Sequence, residues 1–243
     1  MPVRKIKKSY RSVTGVMTSR KTGRMVASES TLERDLFTLL EFDPSVEKFE
    51  EQPLRITYKG INGKDHSYTP DAICYLKTQP LDYRWRGSLF FDFFEYSAGI
   101  EKYRLKPLSH ACFLSEVKYR QDFFDKWTEL KPKLKAARAA SKEMNARFKI
   151  FTEIELRTPV LENVKFLRRF RHRLPQPEDS RKMMRVISDL DQSYPNEILK
   201  HVAGDNRSEI ARQIPVLWYL VANFHVEMDW FQPLNMRTKL FSI

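Results

Sequence analysis

The chain of 243 residues lacks the features that mark secreted and membrane proteins. Its two cysteines, Cys74 and Cys112, are too few for a disulfide framework or a cysteine zinc site. No apolar run approaches the roughly 20 residues that are needed to cross a bilayer. Internal repeats and low-complexity tracts are also absent. The sequence therefore predicts a soluble, intracellular, folded protein that makes no use of a membrane.

Acidic residues are missing from residues 1–28. The basic residues of this segment are Arg4, Lys5, Lys7, Lys8, Arg11, Arg20, Lys21 and Arg24. A mitochondrial transit peptide has a similar composition, but the apolar residues here are too sparse for an amphipathic face. We favour a basic N-terminal arm that contacts a nucleic-acid backbone.

The sequence does have a large excess of positive charge, with a formal net charge of +12. Such a charge indicates a polyanionic partner, and nucleic acid is the commonest one, although an anionic membrane surface would suit the same total. Hydrophobic residues make up 42% of the chain and aromatic residues 13%, which is the composition of a folded protein.

The periodicity of residues 29–163 predicts one α/β domain. A helix is expected over about 30–42, followed by a hairpin whose strands lie on either side of Asn62-Gly63, the second strand running over 66–76. A strand over 112–119 follows, and then a helix over about 121–145. We expect Pro132 to break or kink that helix or to mark its true start, and a last strand to cover 147–156.

Residues 77–111 are rich in aromatics and are interpreted as an insertion without assigned structure. Residues 164–183 are basic and interrupted by prolines, which favours a connection between domains. Residues 184–243 then predict short helices, one of them beginning at Pro215, and a final β-ribbon. That order is typical of a winged helix-turn-helix domain.

The triplet Glu116-Val117-Lys118 lies at the end of the strand predicted over 112–119. Because residues i and i+2 of a strand point to the same face, Glu116 and Lys118 can address one ligand. Asp71 follows a proline, where a strand begins or bulges and a carboxylate can leave the regular pleat. If the two strands are neighbours, two carboxylates and an ammonium converge. That combination suits metal-assisted hydrolysis of a phosphodiester.

Glu33 is a third acidic candidate, on the helix predicted over 30–42. Ser30 and Glu33 also form a capping box, so the carboxylate either bonds back to the helix start or points toward the sheet. Asp71 could instead close a turn after the proline. Glu116 and Lys118 could instead form an ion pair on the surface.

The ordered set of motifs resembles the restriction-endonuclease-like nucleases, whose site is written PD-(D/E)xK. More narrowly, residues 15–53 together with "YTPDAI", "SEVKYR" and "RFKIFTEIEL" resemble the TnsA family, the endonuclease subunit of heteromeric cut-and-paste transposases. The likeness covers residues 15 to about 170 and extends more loosely to the C-terminal domain. The implied fold is a restriction-endonuclease-like core, with a mixed sheet flanked by helices, followed by a small winged-helix-like domain.

This resemblance implies a role for each candidate residue. Glu33 takes the place of the helix-borne acid, Asp71 that of the central metal-binding aspartate, and Glu116 that of the next ligand, where some members have glutamine. Lys118 matches the active-site lysine, and the backbone carbonyl of Val117 is a further ligand of Mg²⁺ or Mn²⁺. Candidate DNA contacts are Arg20, Lys21, Arg24 and Arg120, and the lysine-rich helix over 131–149 suits sequence-independent phosphate contacts.

The resemblance also implies a DNA-associated protein of the bacterial cytoplasm. Such a subunit cleaves the 5′ strands of double-stranded DNA at transposon ends, while a DDE-type, TnsB-like recombinase handles the 3′ strands and an AAA+, TnsC-like regulator joins the complex. One alternative is a non-catalytic DNA-binding or scaffolding protein on a decayed nuclease fold, which predicts a missing ligand or lysine. Another is an RNA-binding protein, which predicts aromatics exposed on a sheet. No ligand or lysine is missing, and the aromatics lie mostly at core spacings.

Overall fold

The computed structural model of the chain describes residues 15–77, 85, 87–90, 93–95, 103–105 and 111–243. The chain divides into two compact units, residues 1–83 with 88–157 and residues 84–87 with 158–243. The predicted boundary lies after residue 163 instead. The first half of the predicted basic arm, at 1–14, and most of the insertion at 77–111 lie outside the described residues.

The first unit contains helices and strands in alternation. Its helices are α1 (Thr31–Phe42), α2 (Arg120–Asp125), α3 (Trp127–Glu143) and α4 (Glu153–Leu156). Its strands are β1 (Gly15–Ser19), β2 (Arg24–Ser28), β3 (Val46–Glu51), β4 (Ile56–Lys59), β5 (Asp65–Tyr68), β6 (Ala72–Leu76), β7 (Phe93–Glu95), β8 (Tyr103–Leu105), β9 (Cys112–Val117) and β10 (Arg147–Phe151). The second half of the predicted arm is thus an antiparallel hairpin, β1 with β2.

A four-stranded mixed sheet forms the centre of this unit, in the order β10-β9-β6-β3. Strands β10 and β9 are parallel, and the other neighbours are antiparallel. Helix α1 packs on β3 and β9, and α3 packs on β9 and β10. Phe49, Phe113 and Phe151 from the sheet are fully buried, as are Leu36 and Phe37 from α1. The predicted α/β class with a mixed sheet flanked by helices is confirmed.

The returning strand predicted over 66–76 is in fact two strands in different sheets. Strand β5 pairs with β4, whereas β6 pairs with β3 and β9. Pro70 lies between them and has no N–H to donate to a ladder, so the chain can leave one sheet and enter the other there.

Two further predictions for this unit are wrong. Pro132 lies inside α3, and the break between helices falls at Lys126. The carbonyl of Thr128, which Pro132 cannot bond, belongs to an exposed residue and can be hydrated. The last strand ends at Phe151 instead of 156, because Thr152 and Glu155 form a capping box that starts α4.

The second unit is mainly helical. Its helices are α5 (Pro159–Leu167), α6 (Pro177–Leu190), α7 (Pro195–Ala203) and α8 (Arg207–Ala222). Strands β11 (Gln192–Ser193), β12 (Glu227–Met228) and β13 (Leu240–Phe241) form a small antiparallel sheet in the order β11-β13-β12. Trp230 is fully buried, and its ring contacts that of Trp85 at a centroid distance of 4.7 Å.

The stretch 164–183, predicted as a connection, includes the end of α5 and the start of α6. Val164, Leu167 and Met183 are fully buried, so these positions belong to the core of the second unit. The helix predicted to begin at Pro215 begins at Arg207 and contains the proline. The carbonyl of Ala211, four residues earlier, belongs to an exposed residue, which lowers the cost of the missing bond.

Among the helices of the described residues, none has the length and the apolar character that crossing a membrane requires.

Candidate active site

Asp71 and Glu116 meet at the ends of two neighbouring strands. Strands β6 and β9 are antiparallel, with Ala72 opposite Ser115, and one further step of that register brings Asp71 opposite Glu116. The amide of Val117 donates a hydrogen bond of 2.7 Å to Asp71 Oδ2, which fixes the aspartate against the second strand. The strand pairing on which the predicted site depends is therefore present.

The ammonium of Lys118 lies among three oxygen atoms. It donates a hydrogen bond of 2.8 Å to the carbonyl of Val117, and its Nζ lies 3.0 Å from Glu116 Oε1 and 3.7 Å from Asp71 Oδ2. Burial alone would lower the pKa of Lys118, but the carboxylates of Asp71 and Glu116 outweigh it and raise that pKa above its ordinary value. The side chain is therefore a fixed cation at neutral pH.

Glu116 is fully buried and is held by groups from three elements. The hydroxyl of Tyr68 donates a hydrogen bond of 2.7 Å to Oε2, while Nζ of Lys133 on α3 lies 2.8 Å from Oε1. The same ammonium stands 4.3 Å from the centroid of the Tyr68 ring. Burial would raise the pKa of Glu116, but Lys118 and Lys133 more than offset it and lower the pKa. Glu116 is therefore an ionised carboxylate without contact with bulk water.

The carboxyl of Asp71 titrates in the opposite direction. Its burial, together with the nearby charge of Glu116, raises the pKa of Asp71 well above its ordinary value, and Lys118 offsets only part of this. Two carboxyls that face each other in a shielded place cannot both ionise freely. A cation between them would favour the ionised form of both.

Glu33 bonds back to the residues before α1, although not to the Ser30 amide that the predicted capping box requires. Its Oε2 accepts a 2.8 Å hydrogen bond from the amide of Glu29, and its Oε1 accepts one of 3.0 Å from the hydroxyl of Ser30. Burial raises the pKa of Glu33 above its ordinary value, and Lys118 is close enough to lower it in part. Glu33 thus caps α1 and lies at the same site as Asp71 and Lys118.

A cavity of about 590 Å³ opens in front of these groups. Glu33, Asp71, Lys118, Lys133, Tyr68, Arg55 and Gln52 are among the residues that line it. Gln52 is buried and has a left-handed backbone with φ of 47°. Its backbone N–H donates a hydrogen bond of 3.1 Å to the backbone carbonyl of Asp71. Its side-chain oxygen has no hydrogen-bond donor among the described residues.

Sequence reasoning missed three members of this site. Tyr68 stands in "YTPD" and Gln52 in "EEQP", both within the quoted motifs, but a tyrosine on a hairpin and a glutamine before a proline are ordinary residues there. Lys133 follows Pro132 in a helix with many lysines, and only the tertiary contact with Glu116 distinguishes it.

The candidate DNA contacts differ in their availability. The Lys21 ammonium donates to the carbonyls of Leu40 and Asp43 at the end of α1. Both terminal nitrogens of Arg24 bond the buried carboxylate of Glu51, one of them at 2.6 Å. These two side chains are engaged within the fold, which does not favour the predicted DNA contacts. Arg20 and Arg120 are exposed.

The oxygen atoms of this site fit a small, hard cation. Asp71, Glu116 and the Val117 carbonyl all contact the single ammonium of Lys118, so they converge on one cationic position. Glu116 Oε1 is buried and lies between the ammonium groups of Lys118 and Lys133. The described residues do not, however, present three or more acidic, histidine or cysteine side chains already arranged around one metal position. A metal ion would require movement of Lys118 or Glu33.

Replacing Tyr68 with phenylalanine is expected to lower the free energy of unfolding by about 1.5–3 kcal/mol, since it removes a hydrogen bond to a buried, ionised carboxylate. Tyr58→Phe is the matched control, because Tyr58 lies on β4 of the same hairpin and is only half-buried; its expected change is within about 0.5 kcal/mol. Urea unfolding of both variants measures the difference. Equal effects would show that the bond to Glu116 contributes nothing.

Comparison with known proteins bears on the second unit. Residues 155–230 match the family model described as TnsA endonuclease C terminal. No curated protein matches the chain. The match lies almost entirely outside the motifs at 15–53, 68–73, 115–120 and 147–156 on which the resemblance depends. A separate part of the sequence thus confirms that resemblance, because residues 155–230 are similar to the C-terminal domain of TnsA endonucleases.

Proposed function

We propose that this chain is the metal-dependent DNA endonuclease subunit of a heteromeric cut-and-paste transposase and that it cleaves the 5′ strands at transposon ends. The nuclease centre is of the PD-(D/E)xK kind, with Asp71, Glu116, Lys118 and Glu33 as its side chains. One observation carries the proposal: antiparallel pairing places Asp71 opposite Glu116, with the Lys118 ammonium within 3.0 Å of one carboxylate and 3.7 Å of the other.

The metal in this proposal is Mg²⁺ or Mn²⁺, held by Asp71, Glu116 and the carbonyl of Val117. When bound, such an ion neutralises charge that develops on the phosphate and promotes deprotonation of the attacking water. Hard oxygen donors are the ligands that these ions prefer. Glu33 is a further ligand if one of its oxygens turns from the cap of α1 to the cavity.

Lys118 acts on the phosphate in this scheme. Its ammonium orients the water and stabilises the negative charge of the transition state, which a preformed cation in a water-poor site does effectively. Lys133 and Tyr68 keep Glu116 ionised and in place. The cavity in front of them has room for one phosphodiester with its flanking sugars, and Arg55 at its wall adds positive charge.

The second unit is proposed to be a winged-helix domain. Its order α6-β11-α7-α8-β12-β13, with the first strand between two helices and paired to the last, supports this assignment. Arg212 on α8 is engaged with Asp179 and Glu209, and Arg207 at the helix start is exposed. Docking of a partner and DNA binding are the two alternative roles of this domain in the proposal.

The proposed assembly includes a TnsB-like DDE recombinase that cuts the 3′ strands and a TnsC-like AAA+ regulator. The protein would act in the bacterial cytoplasm on chromosomal or plasmid DNA. End recognition is assigned to the partners, because sequence is read through base edges, and the basic residues found here suit phosphate contacts instead.

Cleavage of an end-bearing duplex by the reconstituted complex tests this function. Strands labelled at either end report which strand is cut and where. We expect cuts on the 5′ strand in Mg²⁺ and none in EDTA. Cleavage that persists in EDTA, or cuts confined to the 3′ strand, would contradict the proposal. The isolated subunit is not a sufficient test, since the partners position the DNA.

A further inference from the structure

A groove on the other side of α3 carries an unusual concentration of positive charge. It is a cavity of about 650 Å³ between α3 and the edge strand β10. The cations that line it, all exposed, are Lys131, Lys135, Arg138 and Lys142 of α3, and Arg147 of β10. The four residues of the helix are called the α3 stripe below. No glutamate or aspartate lines the groove.

The α3 stripe is a straight row along one side of the helix. At 3.6 residues per turn, positions 131, 135, 138 and 142 fall within an arc of roughly 60° and extend over roughly 16 Å. Lys133, which contacts Glu116, points to the opposite side, roughly 200° away from Lys131. The groove is therefore a surface separate from the catalytic cavity.

Like charges at this spacing oppose helix formation. Lysine and arginine three or four positions apart repel each other, and each such pair destabilises a helix that has no anion beside it. Glu129 and Glu143, the acidic residues of α3, do not line the groove. Within the described residues, none of the five cations forms an ion pair with a carboxylate. An external anion would relieve the repulsion.

The floor of the groove explains how the charges are presented. Leu134 and Ala146 are buried there, and Phe148 and Ile150 are half-buried. The aliphatic stems of lysine and arginine pack over such apolar surface and hold their charged ends in water. Trp127, 49% exposed, stands at the end of the groove where α3 begins. The result is a row of charged ends at the rim.

We propose that the α3 stripe and Arg147 bind the sugar–phosphate backbone of double-stranded DNA, without sequence preference, at a place other than the phosphodiester in the catalytic cavity. A straight row of four cations roughly 16 Å long, with Arg147 beside it, can contact successive phosphates of one strand of B-form DNA. The groove therefore holds DNA that flanks the cleaved position or belongs to a second duplex. This binding does not depend on the catalytic assignment.

An acidic peptide is the competing ligand. It would use the same charges only if its carboxylates recurred over the same length as the phosphates of a strand. The regular spacing of the stripe, with four cations along one side of the helix, favours the nucleic-acid backbone. The two ligands differ in a measurable way, because release of condensed counterions gives DNA binding a steep and predictable dependence on salt.

The test is fluorescence anisotropy of a labelled duplex without transposon ends, titrated with the full chain in EDTA over a series of KCl concentrations. EDTA removes catalysis, so failure here and failure of the nuclease assignment are distinguishable. For the double variant Lys135→Gln/Arg138→Gln we expect the slope of log affinity against log salt to decrease in magnitude by about two, one for each lost phosphate contact. The melting temperature should be unchanged or higher, because repulsion within the helix is removed.

A matched double variant, Lys64→Gln/Lys77→Gln, makes the same change in net charge at exposed positions of the first unit outside the groove. Its slope is expected to equal that of the wild type. A slope unchanged by the groove variant, or reduced equally by both variants, overturns the proposal. A labelled polyglutamate of matched charge is the second probe. If the groove variant weakens its binding but not that of DNA, the groove is an acidic-peptide site and the proposal is overturned.

Discussion

Replacing Asp71 with asparagine is expected to abolish 5′-strand cleavage by the reconstituted complex while the fold is retained. The change removes the negative charge through which the residue would hold a divalent cation and keeps an oxygen that can accept the hydrogen bond from Val117. Loss of several kcal/mol of transition-state stabilisation corresponds to a decrease in rate of about 10³-fold or more. Cleavage assays with labelled strands and circular dichroism of the variant measure the two effects.

The surrounding contacts decide which substitution is informative. Asp71→Ala would also leave the Val117 amide without its acceptor, at a cost of about 1–3 kcal/mol, so its effect on the rate would be mixed with an effect on stability. Asp65→Asn is the matched control, because Asp65 is an exposed carboxylate that pairs with Lys59 on the neighbouring hairpin. Full activity of Asp71→Asn, or equal loss in both variants, would rule out the assignment of Asp71.

Much of the first unit could be predicted because its local patterns agree with its tertiary structure. Helix α1 begins after its N-cap residue Ser30, whose side chain accepts a hydrogen bond from the Glu33 amide, and ends before Pro44, as expected. The Asn62-Gly63 turn joins β4 to β5, and β9 covers most of the predicted strand. In each case turn residues, caps and apolar spacing lead to the same element, so the neighbours in space were not needed.

Strand β3 was not predicted, because its many charged residues do not show the apolar pattern of a buried strand. The sequence "VEKFEE" reads as a charged loop, yet Val46, Phe49 and Glu51 are buried. Glu51 tolerates burial only because Arg24, far away in sequence, pairs with it. A pairing of this kind cannot be read from a local pattern, since a carboxylate at a core position normally argues against a strand.

The prolines show a different limit. Pro132 and Pro215 were expected to start helices, and both lie inside one. Each proline removes one backbone bond, and the carbonyl that it leaves free belongs to an exposed residue in both helices. Apolar residues buried on both sides of the proline hold the helix together, among them Leu130 and Leu134 in α3. Whether a proline ends a helix therefore depends on packing, which the sequence alone does not give.

The candidate site was predictable in its acids and its lysine but not in its supporting residues. Asp71, Glu116 and Lys118 are a short motif on two strands, and one strand pairing brings them together. Lys133 arrives from the helix that packs on the sheet, and Tyr68 from a different hairpin, so both contacts exist only after the whole unit is folded. Together with Lys118, these two residues keep Glu116 ionised in the interior.

Lys118→Met is expected to lower both the cleavage rate and the stability of the metal-free protein. Without the ammonium, Asp71 and Glu116 face each other with Lys133 as the remaining cation beside Glu116, and a buried charge that loses its partner costs about 3–5 kcal/mol. The pKa of Asp71 is already raised in the folded state, so a proton binds the folded state more tightly than the unfolded one. The loss of unfolding free energy relative to the wild type should therefore become smaller as pH falls. Urea unfolding at several pH values measures this.

A divalent cation should compensate the same loss, because the three oxygens that contact the Lys118 ammonium are the proposed metal ligands. Mg²⁺ or Mn²⁺ at about 100 times its dissociation constant should restore about 2.7 kcal/mol of unfolding free energy to Lys118→Met. The cleavage rate should stay low, since the metal does not replace the role of the lysine on the phosphate. Lys126→Met is the control. Lys126 directly follows α2, is exposed and pairs with Asp122 of that helix. If Lys118→Met is as stable as Lys126→Met without metal and gains no stability from Mg²⁺ or Mn²⁺, then Asp71 and Glu116 do not share a cation and the proposed centre is wrong.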